Sequence, residues 1–135
     1  MASDIVVNKV QIIERCLRRI YEEYAGKPEH LANFTKQDSI ILNIQRACEA
    51  AIDLAMHTVS EKSLGIPQNS RDAFDLLQEG GIIPSNLAGR LKAMVGFRNI
   101  AVHDYRAINI EIVRQIIEKH LADLQEFACV MLRKD

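Results

Sequence analysis

Residues 4–25 read DIVVNKVQIIERCLRRIYEEYA, and their apolar side chains recur every three or four positions. That spacing places one apolar stripe on one side of an α-helix: Val6, Val10, Ile13, Leu17, Ile20 and Tyr24. Gly26 and Pro28 then predict that the helix ends after Ala25. A helix with one apolar face needs other helices or a sheet to cover that face, so the fold depends on the elements that pack against this one.

The same spacing predicts a second long helix over about Thr35–Ser60 and a last helix capped by Asn109. The second stripe is Ile41, Ile44, Cys48, Ala51 and Ala55. The last stripe is Ile110, Val113, Ile117, Leu121, Leu124, Ala128 and Met131. Small side chains such as Ala47 and Ala50 would let a neighbouring helix approach the second helix closely.

A short helix and a fourth amphipathic helix are predicted between these two. Ser70 is a good N-cap for the short helix, and Gly80-Gly81 ends it. Pro84 suits the first turn of the next helix, whose apolar face is Leu87, Leu91, Met94 and Val95. We therefore predict an all-α fold, an up-and-down four-helix bundle with one extra short helix, in a single domain over residues 1–135.

Composition narrows the class of protein. Apolar residues make up 48% of 135 residues, enough for a real core, and no apolar run has the roughly 18 residues that a membrane span needs. The start of the chain shows no secretory signal. Three cysteines without metal-like spacing are expected to be reduced and buried, as in a cytoplasmic protein: Cys16, Cys48 and Cys129.

The polar residues that stand out lie in one octapeptide at the end of the fourth helix. It reads Arg98-Asn99-Ile100-Ala101-Val102-His103-Asp104-Tyr105. His moves protons near neutral pH, and Arg stabilises charge on phosphate oxygens. The pair is therefore suited to phosphodiester chemistry without a metal. A solvated helix end is the alternative interpretation of the same residues.

Charge supports a nucleic-acid ligand only locally. The net charge is −1, so the whole chain does not attract nucleic acid. Residues 80–103, however, hold no Asp or Glu, while Arg90, Lys92 and Arg98 fall within them. This stretch predicts either a basic patch beside the octapeptide or simply a helix with its basic side in water.

Helix geometry limits how Arg98 and His103 can cooperate. On one continuous helix they are separated by about 140° around the axis, whereas Asn99 neighbours His103 and Tyr105 shares the face of Arg98. Either the helix ends near His103 and the chain bends back, or two chains pair across this helix. We favour the pair, a homodimer whose two-fold seam contains the octapeptide.

The octapeptide resembles the R-x4-H-x-Y motif of the HepT-like toxins, within the HEPN superfamily of helical ribonuclease domains. The run Ala50-Ala51-Ile52-Asp53-Leu54-Ala55 is similar to the second helix of that family. The run from Gly81-Ile82-Ile83-Pro84 through Met94-Val95-Gly96-Phe97 is similar to the segment that leads into its motif. Chain length, helix order and the polar Asn99 also match.

This resemblance implies a metal-independent endoribonuclease that needs no cofactor, acts as a homodimer and is the toxin of a toxin–antitoxin system. It implies Arg98 and His103 as catalytic residues, Asn99 and Asp104 as supporting residues, and RNA as substrate. It further implies a minimal nucleotidyltransferase antitoxin that inactivates the toxin by adenylylation of Tyr105. Neither tRNA nor mRNA is favoured as the RNA that is cleaved.

Other interpretations remain open at this point. One alternative is a non-catalytic helical module that binds a nucleotide or a nucleotidyltransferase partner. Such a module would keep the fold without needing the Arg98/His103 pair. A dimerisation scaffold is another alternative. Asp53 and His57 lie four positions apart. They predict a hydrogen-bonded pair rather than a metal site, which would need more ligands, although Asp53 could instead reach the cleft of the bundle.

Overall fold

Helices account for nearly all of the architecture in the computed structural model, which describes residues 3–135. The α-helices are α1 (Asp4–Tyr24), α2 (Phe34–Glu61), α3 (Ser70–Glu79), α4 (Ser85–His103), α5 (Ile110–Gln115) and α6 (Leu121–Lys134). A π-helical turn, Ile116–His120, joins α5 to α6 into one long helix, and short 3-10 helices cover Pro28–Ala32 and Tyr105–Ala107. Residues 3–135 contain no strand, and the all-α prediction is confirmed.

The bundle is built around α2. The most extensive helix pairing is that of α1 with α2; α6 packs on α1, α2 and α4, and the short α3 covers α2 and α4. The predicted stripes of α1 and α4 are buried, as are Ala47 and Ala50 on α2. Phe74 of α3 meets Phe127 of α6 edge to face, with ring centroids 5.6 Å apart. The bundle with one short extra helix is thus the architecture that the apolar period predicts.

Two local predictions need correction, and one local feature was not predicted. The N-cap of α3 is Asn69, whose side chain accepts from the Asp72 backbone N–H, so Ser70 is already the first helical residue. Pro84 is the residue before α4 rather than part of its first turn. The π-helical turn is also unexpected, because successive steps of four residues in an apolar stripe fit an α-helix equally well. Among the described residues, no helix is both long enough and apolar enough to span a membrane.

Candidate active site

The octapeptide lies where α4 ends and the chain turns toward α2. His103 is the last residue of α4, the Asp104 backbone N–H donates to the Ile100 carbonyl at 2.8 Å, and a 3-10 turn begins at Tyr105. Because α4 is continuous from Ser85 to His103, Arg98 and His103 are separated by about 7.5 Å along the axis and about 140° around it. One chain therefore does not bring the two side chains together, and the bend after His103 does not change this.

The Arg98 guanidinium points into a cleft beside α2 and α3. Its Nη1 lies 3.8 Å from Glu49 Oε2, and its Nη2 donates to Ser70 Oγ at 3.4 Å. Its Nε is buried, and no residue from 3 to 135 accepts a hydrogen bond from it. The cleft, about 300 Å³, is lined by Arg98, Glu49, Ile52 and Asp53. Both contacts are long, so the guanidinium is oriented but keeps donors for an anion.

His103 and its neighbours are on the open side of the α4 terminus. The imidazole is exposed, Asp104 is exposed, and Asn99 is half-buried. Within residues 3–135 no hydrogen bond joins Asn99 to His103, so the orienting role suggested for Asn99 stays a prediction. An exposed imidazole is free to meet a substrate or a second chain.

Tyr105 contacts α2 through its hydroxyl. The phenol donates to Asp38 Oδ1 at 2.5 Å, although Asp38 precedes it by 67 positions. Partial burial, then the hydrogen bond to Asp38 and the charge of that carboxylate, raise the pKa of Tyr105 to about 12. Tyr105 lies beyond the last residue of α4, so the prediction that it shares a helix face with Arg98 is wrong. Asp38 had no signal in the sequence.

The folded structure does not contain the basic patch that was one of the two interpretations of residues 80–103. Arg90 pairs with Asp123 at 2.8 Å, Lys92 pairs with Asp75 at 2.7 Å, and Arg98 faces Glu49. The stretch lacks acids along the chain, but α2, α3 and α6 supply them in space. The expectation is corrected accordingly: these three cations form ion pairs between helices.

Cationic side chains instead gather in the groove between α1 and α2. This groove, about 520 Å³, is lined by Lys9, Arg15, Arg19 and Arg46 and also by the apolar side chains of Ile12 and Leu42. Its lining shares Glu49 and Asp53 with the cleft of Arg98, so the two cavities adjoin. We call it the α1–α2 groove.

Two cations of the α1–α2 groove are available to a ligand. Arg15 and Arg46 are exposed, and neither forms an ion pair with another residue of the described range 3–135. Burial raises the pKa of the Cys16 thiol, and both guanidiniums oppose that rise, so both lie near the same point of the groove. Lys9, by contrast, is paired with Asp53 at 3.0 Å.

The predictions for Asp53, His57 and the cysteines are confirmed only in part. Asp53 bonds to Lys9 rather than to His57, and it reaches the cleft of Arg98; the predicted Asp53–His57 pair is wrong. His57 Nε2 is buried, and no described residue is its hydrogen-bond partner. Cys16 and Cys48 are buried as expected, but Cys129 is exposed. Across residues 3–135 no three His, Cys, Asp or Glu side chains are grouped as metal ligands.

Comparison with known proteins gives consistent matches. A family model described as Ribonuclease HepT-like matches residues 11–131. The mRNA nuclease HepT of Shewanella oneidensis is 47% identical over 129 residues, which cover 96% of this chain and 97% of that protein. These matches span the bundle and the octapeptide alike.

Solved structures extend the likeness to three dimensions. One is the tri-AMPylated Shewanella oneidensis HEPN toxin in complex with an MNT antitoxin; it has a TM-score of 0.92 and 46% identity, and the match covers 99% of this chain and 100% of that chain. Another is a toxin–antitoxin structure with AMP-PNP, with a TM-score of 0.93, 45% identity, and coverage of 98% and 100%. At these identities the backbone of the candidate site is shared as well as the fold.

Proposed function

Because this chain belongs to the ribonuclease HepT-like family, we propose that it is the toxin of a toxin–antitoxin pair, a cytosolic endoribonuclease that cleaves RNA without a metal. The observation that carries this proposal is the Arg98 guanidinium, held at the edge of an open cleft with its hydrogen-bonding capacity incompletely used. A solvated arginine at a helix end would have no such cleft.

The reaction that these side chains can perform is an internal transfer at phosphorus. His103 takes the proton of the ribose 2′-hydroxyl as that oxygen attacks the phosphate, or it protonates the departing 5′-oxygen. Arg98 binds the phosphate and stabilises the charge that builds on its oxygens. Asn99 supports the site by holding His103 or contacting the phosphate, and Asp104, next to His103, is a further supporting residue. The products are a 2′,3′-cyclic phosphate and a 5′-hydroxyl.

RNA rather than DNA is the substrate in this mechanism, because only RNA carries the attacking 2′-hydroxyl. Purified chain in EDTA should therefore cleave an RNA oligonucleotide and leave the DNA oligonucleotide of the same sequence intact. A gel of the two labelled strands, incubated side by side, measures this difference. Equal cleavage of both strands would contradict the proposal.

A homodimer can bring an Arg98 side chain and a His103 side chain to the same phosphate, which one chain alone does not do. Arg98 and His103 diverge on α4, so a phosphate between them needs the Arg98 of one copy and the His103 of another, related by a two-fold axis. Large apolar side chains are exposed around the end of α4, as expected for a seam that a second copy covers. They are Ile100, Val102, Ile110 and Ile112, each between 36% and 48% exposed.

The α1–α2 groove provides a path for the RNA beyond the scissile phosphate. It adjoins the cleft of Arg98, its free cations Arg15 and Arg46 suit backbone phosphates, and its apolar side chains suit unstacked bases. Single-stranded RNA is the form that offers both groups.

Replacing Arg15 and Arg46 by alanine should weaken RNA binding and reduce its salt dependence. Each lost phosphate contact lowers the slope of log K against log salt by roughly 0.7 for a single strand. Binding is measured by fluorescence anisotropy in a His103→Ala background, which keeps the RNA intact. Arg133→Ala, an exposed cation of α6 outside the groove, is the matched control. An unchanged salt slope in the double variant would remove the groove from the RNA path.

Neutralisation by a nucleotidyltransferase antitoxin completes the proposal. The similar HEPN toxin is AMPylated in its complex with an MNT antitoxin. In this chain we assign the acceptor as Tyr105, which is 44% exposed and two residues beyond His103. A bulky anionic nucleotide there would cover His103 and compete with RNA for cationic side chains.

A further inference from the structure

The hydrogen bond between Tyr105 and Asp38 joins the proposed acceptor to a carboxylate that no motif includes. Asp38 lies near the start of α2, and its Oδ1 accepts from the phenol at 2.5 Å in an exposed hydrogen bond. We propose that Asp38 takes the phenolic proton when Tyr105 is adenylylated, so that the toxin supplies the base for its own modification. This inference rests on the proposed function, in which Tyr105 is the acceptor.

A tyrosine needs such a base because a neutral phenol is a weak nucleophile. Burial and the hydrogen bond to Asp38 raise the pKa of Tyr105 to about 12, so the phenol keeps its proton at neutral pH. The antitoxin therefore meets a protonated phenol whose proton is already directed at Asp38. A positioned general base contributes about 10²–10⁴-fold to such a step.

The step balances with a nucleoside triphosphate as the co-reactant, bound by the nucleotidyltransferase. Tyr105 Oη forms a bond to the α-phosphorus while the bond from that phosphorus to the pyrophosphate oxygen breaks. The proton moves from Oη to Asp38 Oδ1 and then to water, and pyrophosphate departs. No oxidant or reductant is needed.

The surroundings of the pair favour this role over a purely structural one. Tyr105 is exposed and its bond to Asp38 lies at the surface, so another protein can reach the phenol without unfolding the bundle. An exposed hydrogen bond of this kind contributes little to stability. After modification Oη has no proton to donate and carries an anionic phosphate. The attraction between Tyr105 and Asp38 therefore becomes repulsion, and the modified side chain moves away from α2.

Two substitutions at Asp38 separate proton acceptance from positioning. Asp38→Asn keeps an oxygen that can accept the phenolic hydrogen bond but is not a base, whereas Asp38→Ala removes both properties. Full-length chains are incubated with the antitoxin nucleotidyltransferase, ATP and Mg²⁺, and intact mass is followed over time. We expect both variants to be modified about 10²–10⁴ times more slowly than wild type. Glu61→Gln, an exposed carboxylate at the other end of α2, should be modified at the wild-type rate.

Each outcome decides the inference. Slow modification of Asp38→Asn, with an unchanged thermal unfolding temperature, supports a base. A wild-type rate for Asp38→Asn with a slow Asp38→Ala would show that Asp38 only holds the ring, and faster modification of either variant would show that it restrains Tyr105; both results overturn the inference. Wild-type chain that gains no nucleotide on Tyr105 would instead refute the proposed acceptor, which is a different failure.

Discussion

Substituting alanine for His103 should reduce RNA cleavage by about 10²–10⁴-fold while the chain stays folded. His103 is exposed at the last position of α4, so its removal leaves the core untouched. The imidazole transfers protons chiefly in the transition state, so kcat should fall while RNA affinity changes little. Single-turnover cleavage of a labelled RNA, with anisotropy for binding, measures the two effects separately.

His30→Ala is the matched control for this loss. His30 lies in the 3-10 segment Pro28–Ala32, where its Nδ1 is 3.1 Å from the Glu23 carbonyl oxygen, and it has no place in the octapeptide. Its variant should cleave RNA at the wild-type rate. If purified His103→Ala cleaves as well as wild type, His103 does not have the role assigned to it.

Replacing Tyr105 by phenylalanine should abolish modification by the antitoxin. The ring and its packing remain, but Oη is absent and no phosphotyrosyl ester can form. The lost hydrogen bond to Asp38 is exposed and lies outside the core, so the fold should persist. Intact mass after incubation with antitoxin and ATP should show no added AMP, and RNA cleavage should continue at the unmodified rate.

A second exposed tyrosine provides the comparison. Tyr21 on α1 is 52% exposed, similar to Tyr105, and Tyr21→Phe should gain AMP as wild type does. Added mass on Tyr105→Phe would place the acceptor elsewhere in the chain. If neither Tyr105→Phe nor Tyr21→Phe gains AMP, the substitutions impair binding to the antitoxin, and the result does not identify the acceptor.

The fold was accessible from sequence because its determinants are local. A helix places every third or fourth residue on one face, so the stripe from Val6 to Tyr24 is visible without knowing its neighbours. Details that depend on one hydrogen bond were less accessible: Asn69 and Ser70 are both good N-caps, and only the backbone conformation decides between them.

The site was accessible only where it is contiguous in the chain. Arg98, His103 and Tyr105 fall within eight residues, and the family motif joins them. Glu49, by contrast, comes from another helix and was not identified as a partner of Arg98.

Ion pairs were missed for the same reason. The acid-free stretch from 80 to 103 indicated a basic patch because Asp75 and Asp123 lie far from their partners in sequence. Tertiary packing paired the cations of that stretch with acids, whereas Arg15 and Arg46 in the α1–α2 groove form no ion pair within residues 3–135.

The chemical ends that the wild-type chain leaves on RNA test the central claim most directly. An RNA oligonucleotide is incubated with the chain in EDTA, beside the same strand carrying a single 2′-O-methyl group at the cleaved position, and the fragments are identified by mass. Attack by the 2′-oxygen predicts a 2′,3′-cyclic phosphate, a 5′-hydroxyl, and no cleavage at the methylated position. A 5′-phosphate product, or cleavage at the methylated position, would contradict it.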